Sequence, residues 1–141
     1  MPSLMKIKIR GYHLDGFGHV NHARYIELME EARWDYFDVH QDVKEILHQG
    51  GIGHATVNIN INYRNEARLA DVLRIETCVK CATRSSMTFE QKMYLDASDA
   101  LAAEATVTNV FFRMANREVL AMSDDVFRTW TDLVNVLPDA G

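Results

Sequence analysis

In residues 12–33, YHLDGFGHVNHARYIELMEEAR, four carboxylate or imidazole side chains share the first eleven positions: His13, Asp15, His19 and His22. An acidic, strongly helical run follows at once. A carboxylate and imidazoles gathered just ahead of a helix can do ordinary turn chemistry, since Asp, Asn, Gly and His all serve helix entries. They can also hold an anion, or a group becoming anionic, where the first backbone N–H groups of a helix lack partners. Imidazole and carboxylate also suit zinc. Ligands spread through a glycine-bearing loop make no tight helical pair, however, and no metal is expected.

Other candidate groups carry weaker signals. Cys78 and Cys81 form a C-x-x-C in TCVKC, but the stretch reads as a strand, where residues three apart point to opposite faces. No second cysteine pair exists, and no function is assigned to them. Glu27 and Glu31 lie one helical turn apart and suit ordinary ion pairs with Arg24 or Arg33.

The elements that must position these groups follow from periodicity. MKIKIR, residues 5–10, alternates as a first strand, and Gly11, Gly16 and Gly18 punctuate the loop after it. A helix is predicted over 21–38, with Asn21 as N-cap and Ile26, Met29, Arg33 and Phe37 on one stripe. A short helix over 42–49 should stop at Gly50–Gly51. In ATVNININY, residues 55–63, Val57, Ile59, Ile61 and Tyr63 take one strand face and Asn58, Asn60 and Asn62 the other. Such an asparagine face suits an interface or a wet cavity. Further strands are expected at 72–82, 87–95 and 102–113, with a last short one at 118–122. Ser123, followed by Asp124 and Asp125, should cap a final helix running to about 135. One helix followed by consecutive strands with hairpin-length turns implies an α+β fold, an antiparallel sheet curled around the long helix.

The chain has 141 residues, which suits a single domain over 1–141. A net charge of −5 argues against a nucleic-acid partner, which would need a basic face. No apolar run approaches the roughly 20 residues of a membrane span, and the first residues build no signal-peptide core. A cytoplasmic location is expected.

The words RGYHLD (10–15), HVN (19–21), ARYIE (23–27), EEARWD (30–35) and VNININYR (57–64), in that order, resemble the hotdog-fold acyl-CoA thioesterases of the 4-hydroxybenzoyl-CoA thioesterase class. Within that class they are most similar to the bacterial long-chain enzymes. The resemblance implies a hotdog subunit paired into a homodimer, or a dimer of dimers, with active sites at the subunit interface. It implies hydrolysis of a fatty acyl-CoA to free acid and CoA without metal or organic cofactor. His22 stands where the long-chain enzymes carry a second Asn, and residues 16–18 differ too. Acyl chain length or aromatic preference is therefore open.

Thioester hydrolysis needs a group to deliver water and a donor for the charge that develops on the carbonyl oxygen. Asp15 fits the first role, as general base or as nucleophile forming a mixed anhydride. The first turn of the helix, at His22 and Ala23, fits the second, and the resemblance places a functional histidine at position 22 in some relatives. His19 is read as a structural histidine bonding the loop backbone. Arg84, Ser85 and Ser86 at a hairpin, with Arg64 and Arg68 as weaker candidates, could meet the CoA phosphates. Tyr25, Met29 and Phe37 could line the acyl chain. A non-catalytic acyl-CoA-binding module is the alternative from another class, and a hydratase on the same fold is a weaker one.

Overall fold

Apolar alternation in three consecutive strands decides which face of the sheet is covered. In the computed structural model, which describes residues 2–135 and 137–138, these are β3 (Val72–Ala82), β4 (Ser86–Leu95) and β5 (Leu101–Arg113). Leu73, Ile75, Thr77 and Val79 share a face with Met87, Phe89, Gln91 and Met93, and with Ala103, Ala105, Val107 and Asn109. All are buried. Helix α1 (His22–Val39) lies on that face and buries Tyr25, Leu28, Met29, Ala32, Arg33, Tyr36 and Phe37. The Tyr36 and Phe37 rings meet Phe89 edge-on at 5.6 and 5.8 Å. Each large apolar side chain buried this way contributes roughly 1.5–3 kcal/mol.

Two outer strands complete the sheet: β1 (Ser3–Lys8) and β2 (Ile52–Tyr63). The order is β1-β3-β4-β5-β2, with every neighbouring pair antiparallel. Helix α2 (Gln41–Gln49) links α1 to β2, and α3 (Asp124–Leu133) closes one end, stacking Trp130 on Phe111 at 5.6 Å. Local signals set the helix ends as expected. Asn21 Oδ1 accepts from Ala23 N–H, Ser123 Oγ accepts from Val126 N–H, and the chain leaves α2 through Gly51 at φ +62°.

Several boundaries depart from the sequence reading. Strand β1 covers Ser3–Lys8 rather than 5–10, β2 starts at Ile52, and α3 ends at Leu133. The expected strand at 118–122 is absent: only Val119 bridges to Phe112. β5 is already paired on both sides, with β2 and β4, over most of its length. Two bulges interrupt the period of two. In β2, register slips between Thr56 and Asn58, so Val57 leaves the alternation. In β3 it slips between Val79 and Cys81. That second slip overturns the expected separation of the cysteines, since Cys78 faces Glu90 and Cys81 faces Thr88, two residues of one β4 face. Both thiols are free. Cys78 lies buried 3.2 Å from Asn135 O, and burial, reinforced by Glu90, pushes its thiol up to about 11.

Arg33 also departs from expectation. It makes no carboxylate pair on the helix surface but turns into the core, where Nη1 donates to Gln91 Oε1 at 3.0 Å. Gln91 Nε2 in turn donates to Met29 O and Thr77 Oγ1. Glu27 does pair with Arg24, at 2.8 Å. Among the described residues no helix is long and apolar enough to cross a membrane.

Candidate active site

The loop between β1 and α1 folds into a tight hairpin. Leu14 bridges Val20, Asp15 N–H donates to His19 O at 2.9 Å, and the turn passes through Gly18 at φ +84°. Alongside runs the segment after β2, where Ala67 O accepts from Val20 N–H at 2.8 Å and His19 bridges Arg68. Tyr63, at the end of β2, ties this layer to the helix by donating its hydroxyl to His22 O at 2.9 Å. Tyr25 does the same from inside: its oxygen accepts from Ala67 N–H at 3.1 Å, and its ring meets Tyr63 at 5.4 Å.

These pieces border an open cavity of about 320 Å³ whose walls include Asp15, His19, His22, Tyr25, Tyr63 and Arg64. The Asp15 carboxylate is largely enclosed, with one-fifth of the side chain exposed. Its Oδ1 accepts from Phe17 N–H at 2.9 Å, and its Oδ2 stands 3.2 Å from His19 Nδ1. Burial raises the Tyr25 and Tyr63 hydroxyls above the usual tyrosine range, so both stay protonated at neutral pH. Across the mouth, the hydrogen bond from Arg68 holds the Glu66 carboxyl below its usual range.

Four of the anticipated residues thus meet in one cavity: Asp15, His22, Tyr25 and Arg64. Arg64 also pairs with Glu104 at 2.9 Å. Ala23 behaves differently from expectation, because its N–H is taken by the Asn21 cap. A good cap competes for the donor an oxyanion would use. The His22 amide, one residue earlier, makes no such cap bond.

Arg84, Ser85 and Ser86 do not line this cavity in the protomer. Arg84 Nη1 pairs with Asp124 at 2.6 Å and its guanidinium covers the Phe127 ring. Ser86 hydrogen-bonds Thr83, and Ser85 O accepts from Phe111 N–H. Met29 is fully buried core. Phe37 borders a second, larger and mainly apolar cleft of about 750 Å³, together with Trp34, Leu47, Ile52, Phe112 and Met114. Sequence reasoning missed Glu66 and Asn65, which join the Asp15 cavity from a segment some 50 positions further on.

A five-stranded antiparallel sheet packed on one long helix, with a carboxylate at the helix entry, defines the hotdog thioesterase class. The chain belongs to the thioesterase-like superfamily, which it matches over residues 10–130. It is 37% identical over 121 residues to the long-chain acyl-CoA thioesterase FadM of Escherichia coli strain K12, covering 86% of this chain and 91% of that protein. The acyl-CoA thioester hydrolase YbgC of Escherichia coli O6:H1 is 28% identical over 107 residues, 74% of this chain and 79% of that protein. Among solved structures, the probable thioesterase YbaW of Escherichia coli superposes with a TM-score of 0.79 at 33% identity. That match covers 94% of this chain and 98% of the other.

Proposed function

We propose that this protein hydrolyses acyl-CoA thioesters, with fatty acyl groups of medium or long chain as substrates. One observation carries the mechanism: the Asp15 carboxylate and the entry of α1 border the same cleft. Asp15 attacks the thioester carbonyl or delivers water to it. The carbonyl oxygen, gaining charge, lies against the His22 amide and the first turn of α1, with the His22 side chain beside it. The C–S bond breaks and the CoA thiolate takes a proton from the attacking water, whose oxygen goes to the free acid either directly or by cleaving the Asp15–acyl anhydride. One preorganised donor of this kind is worth roughly 3–4 kcal/mol of barrier.

The long-chain preference rests on the likeness to FadM and on the apolar character of the larger cleft. That cleft and the Asp15 cavity lie at opposite ends of β2, beside Ile52 and Tyr63 respectively. Antiparallel self-pairing of β2 in a homodimer would bring the cleft of one protomer to the Asp15 cavity of its partner. The exposed edge of β2, with Val57, Ile59 and Tyr63 open, supports that assembly. Arg64 is the cation positioned for CoA phosphate within the protomer, whereas Arg84, Ser85 and Ser86 could meet CoA only across an assembly. The same reading has the enzyme act as a cytoplasmic homo-oligomer.

The test is a panel of acyl-CoA substrates from acetyl upward, with released CoA trapped by a thiol reagent. Turnover should peak at medium or long chains, and Asp15→Asn should lower kcat at least about 100-fold with fold and assembly intact. Acyl-CoA binding without release of CoA would establish the non-catalytic module instead. Near-normal turnover in Asp15→Asn would remove Asp15 from the mechanism.

A further inference from the structure

The hairpin that carries Asp15 also carries a second functional group, four residues on. We propose that His19 is a positioning residue: the Nδ1 edge of its ring holds the Asp15 carboxylate in its working orientation. This rests on the reading of Asp15 as the group that acts on the thioester.

Two contacts hold the carboxylate, and two neighbours flank the ring. The carboxylate plane is held from both ends, by Phe17 N–H on Oδ1 at 2.9 Å and by His19 Nδ1 beside Oδ2 at 3.2 Å. With only the Phe17 amide, the carboxylate could still swing about its own axis. With the imidazole edge placed against the other oxygen its plane is set, and so is the direction of its remaining lone pairs. On the opposite edge, His19 Nε2 lies 3.9 Å from Glu66 Oε2, and Glu66 is itself gripped by Arg68. The Phe17 ring stacks on the imidazole at 6.0 Å and 17°.

The competing use of His19 is a bond to its neighbour's backbone, since Nδ1 also lies 3.5 Å from Val20 O. Val20 O is the acceptor aligned with the Nδ1 bond direction, while Asp15 Oδ2 is the nearer and charged one, and a charged acceptor makes the stronger interaction. The wider scaffold suits the task as well. His19 sits where its own backbone bridges Arg68, and the next residue is bonded to Ala67 O, so the ring cannot drift from the layer that supplies Glu66. A side chain acting through Asp15 affects the geometry of attack and leaves binding of the long substrate nearly untouched. A misplacement of about 1 Å at a reacting group can cost on the order of 100-fold in rate.

The experiment compares His19→Ala, His19→Asn and His19→Gln with the wild type on the best acyl-CoA of the panel. An asparagine amide can stand where Nδ1 stands and still donate; the longer glutamine places its amide near Nε2. Expected are a fall in kcat of roughly 10–100-fold for His19→Ala, a KM within about twofold, and recovery of most of kcat in His19→Asn but not in His19→Gln. Thermal unfolding and oligomer size should match the wild type throughout. In parallel, the His19 Nδ1 proton resonance should move upfield in Asp15→Asn, which removes the charged acceptor beside it.

Loss of kcat in His19→Asn equal to that in His19→Ala would overturn the proposal. So would a rise in KM at constant kcat, an unchanged kcat in His19→Ala, a proton found on Nε2 alone, or a Nδ1 proton resonance that stays in place in Asp15→Asn. If the wild type releases no CoA from any substrate, the parent reading fails, while the imidazole proton still reports whether His19 donates to Asp15.

Discussion

His54 shows how burial alone gives a residue a pH signature. It lies on β2 against α1, with its ring 5.6 Å from Trp34 and 5.1 Å from Phe37, and Asn109 Nδ2 is 3.1 Å from its Nδ1. Burial first, and the nearby Arg33 cation second, hold its imidazole below the ordinary histidine range. His13, also enclosed, is lowered in the same direction, again chiefly by burial. A histidine depressed in the fold binds its proton more readily when unfolded, so the stability it contributes is intact above the unfolded value of about 6.5. That stability drains away as pH falls from there toward the folded value. Unfolding free energy from denaturant titration should therefore drop between about pH 7 and pH 5, by at most about 1.4 kcal/mol per pH unit for each such group. The slope should flatten in His54→Gln. An identical slope in that variant would acquit His54. The lowered carboxyls of Glu66 and Asp96 act at more acid pH, their contribution draining away as pH falls from the ordinary carboxyl range toward their lowered folded values.

The same scale shows what a list of residue types can and cannot convey. Asp15, His22 and the Asn21 cap were readable because their chemistry is local to a helix entry. The Asp15–His19 contact was hidden because the sequence marks this segment only as a glycine-bearing loop, and the hairpin that brings the two together forms only in the fold. Glu66 had no signal at all, since only the packing of a distant segment brings it near.

At the scale of elements, α1 depends on its cap. Asn21 Oδ1 satisfies the Ala23 N–H, one of four donors a helix start leaves open. Asn21→Ala should lower stability by about 1 kcal/mol, seen as a reduced denaturation midpoint with unchanged slope. A midpoint within error of the wild type would mean the cap bond is replaced by water at no cost. The helix and strand assignments were legible because apolar spacing dictates which side each element must bury. The bulges at Val57 and near Lys80 were not, since one extra residue leaves composition and propensity unchanged and shows only in the partner strand. Position 33 misled for a related reason. An arginine on an otherwise acidic helix surface suggests an ion pair, but Gln91 supplies an acceptor beneath the helix that no local pattern announces.

For the whole molecule, the edge of β2 is the feature that asks for a partner. Val57 is 58% exposed at the middle of this twelve-residue strand, and Trp34 on the adjoining helix is 52% exposed. Antiparallel self-pairing puts the middle of the strand opposite itself, so Val57→Lys would set two like charges face to face. Because the side chain is already open in the protomer, the substitution should cost the fold little. Light scattering should then show half the native mass, and turnover should fall with it if the acyl cleft comes from the partner. Native mass and turnover in that variant would rule out this edge as the contact. The sheet topology could be anticipated only as antiparallel, because the assignment of β1 and β2 to opposite edges follows from packing across the entire chain.

That strand order also governs synthesis. Neither β1 nor β2 finds its neighbour among residues 1–63: β1 waits for β3, and β2 waits for β5, the last strand to be made. The growing polypeptide therefore leaves the ribosome with Asp15, His22 and the future contact edge already translated but without a sheet to hold them, while the local β3–β4–β5 meander is still to come. Co-translational folding must run backwards, the late meander recruiting the early half, and for that interval the β2 edge is open to any passing strand.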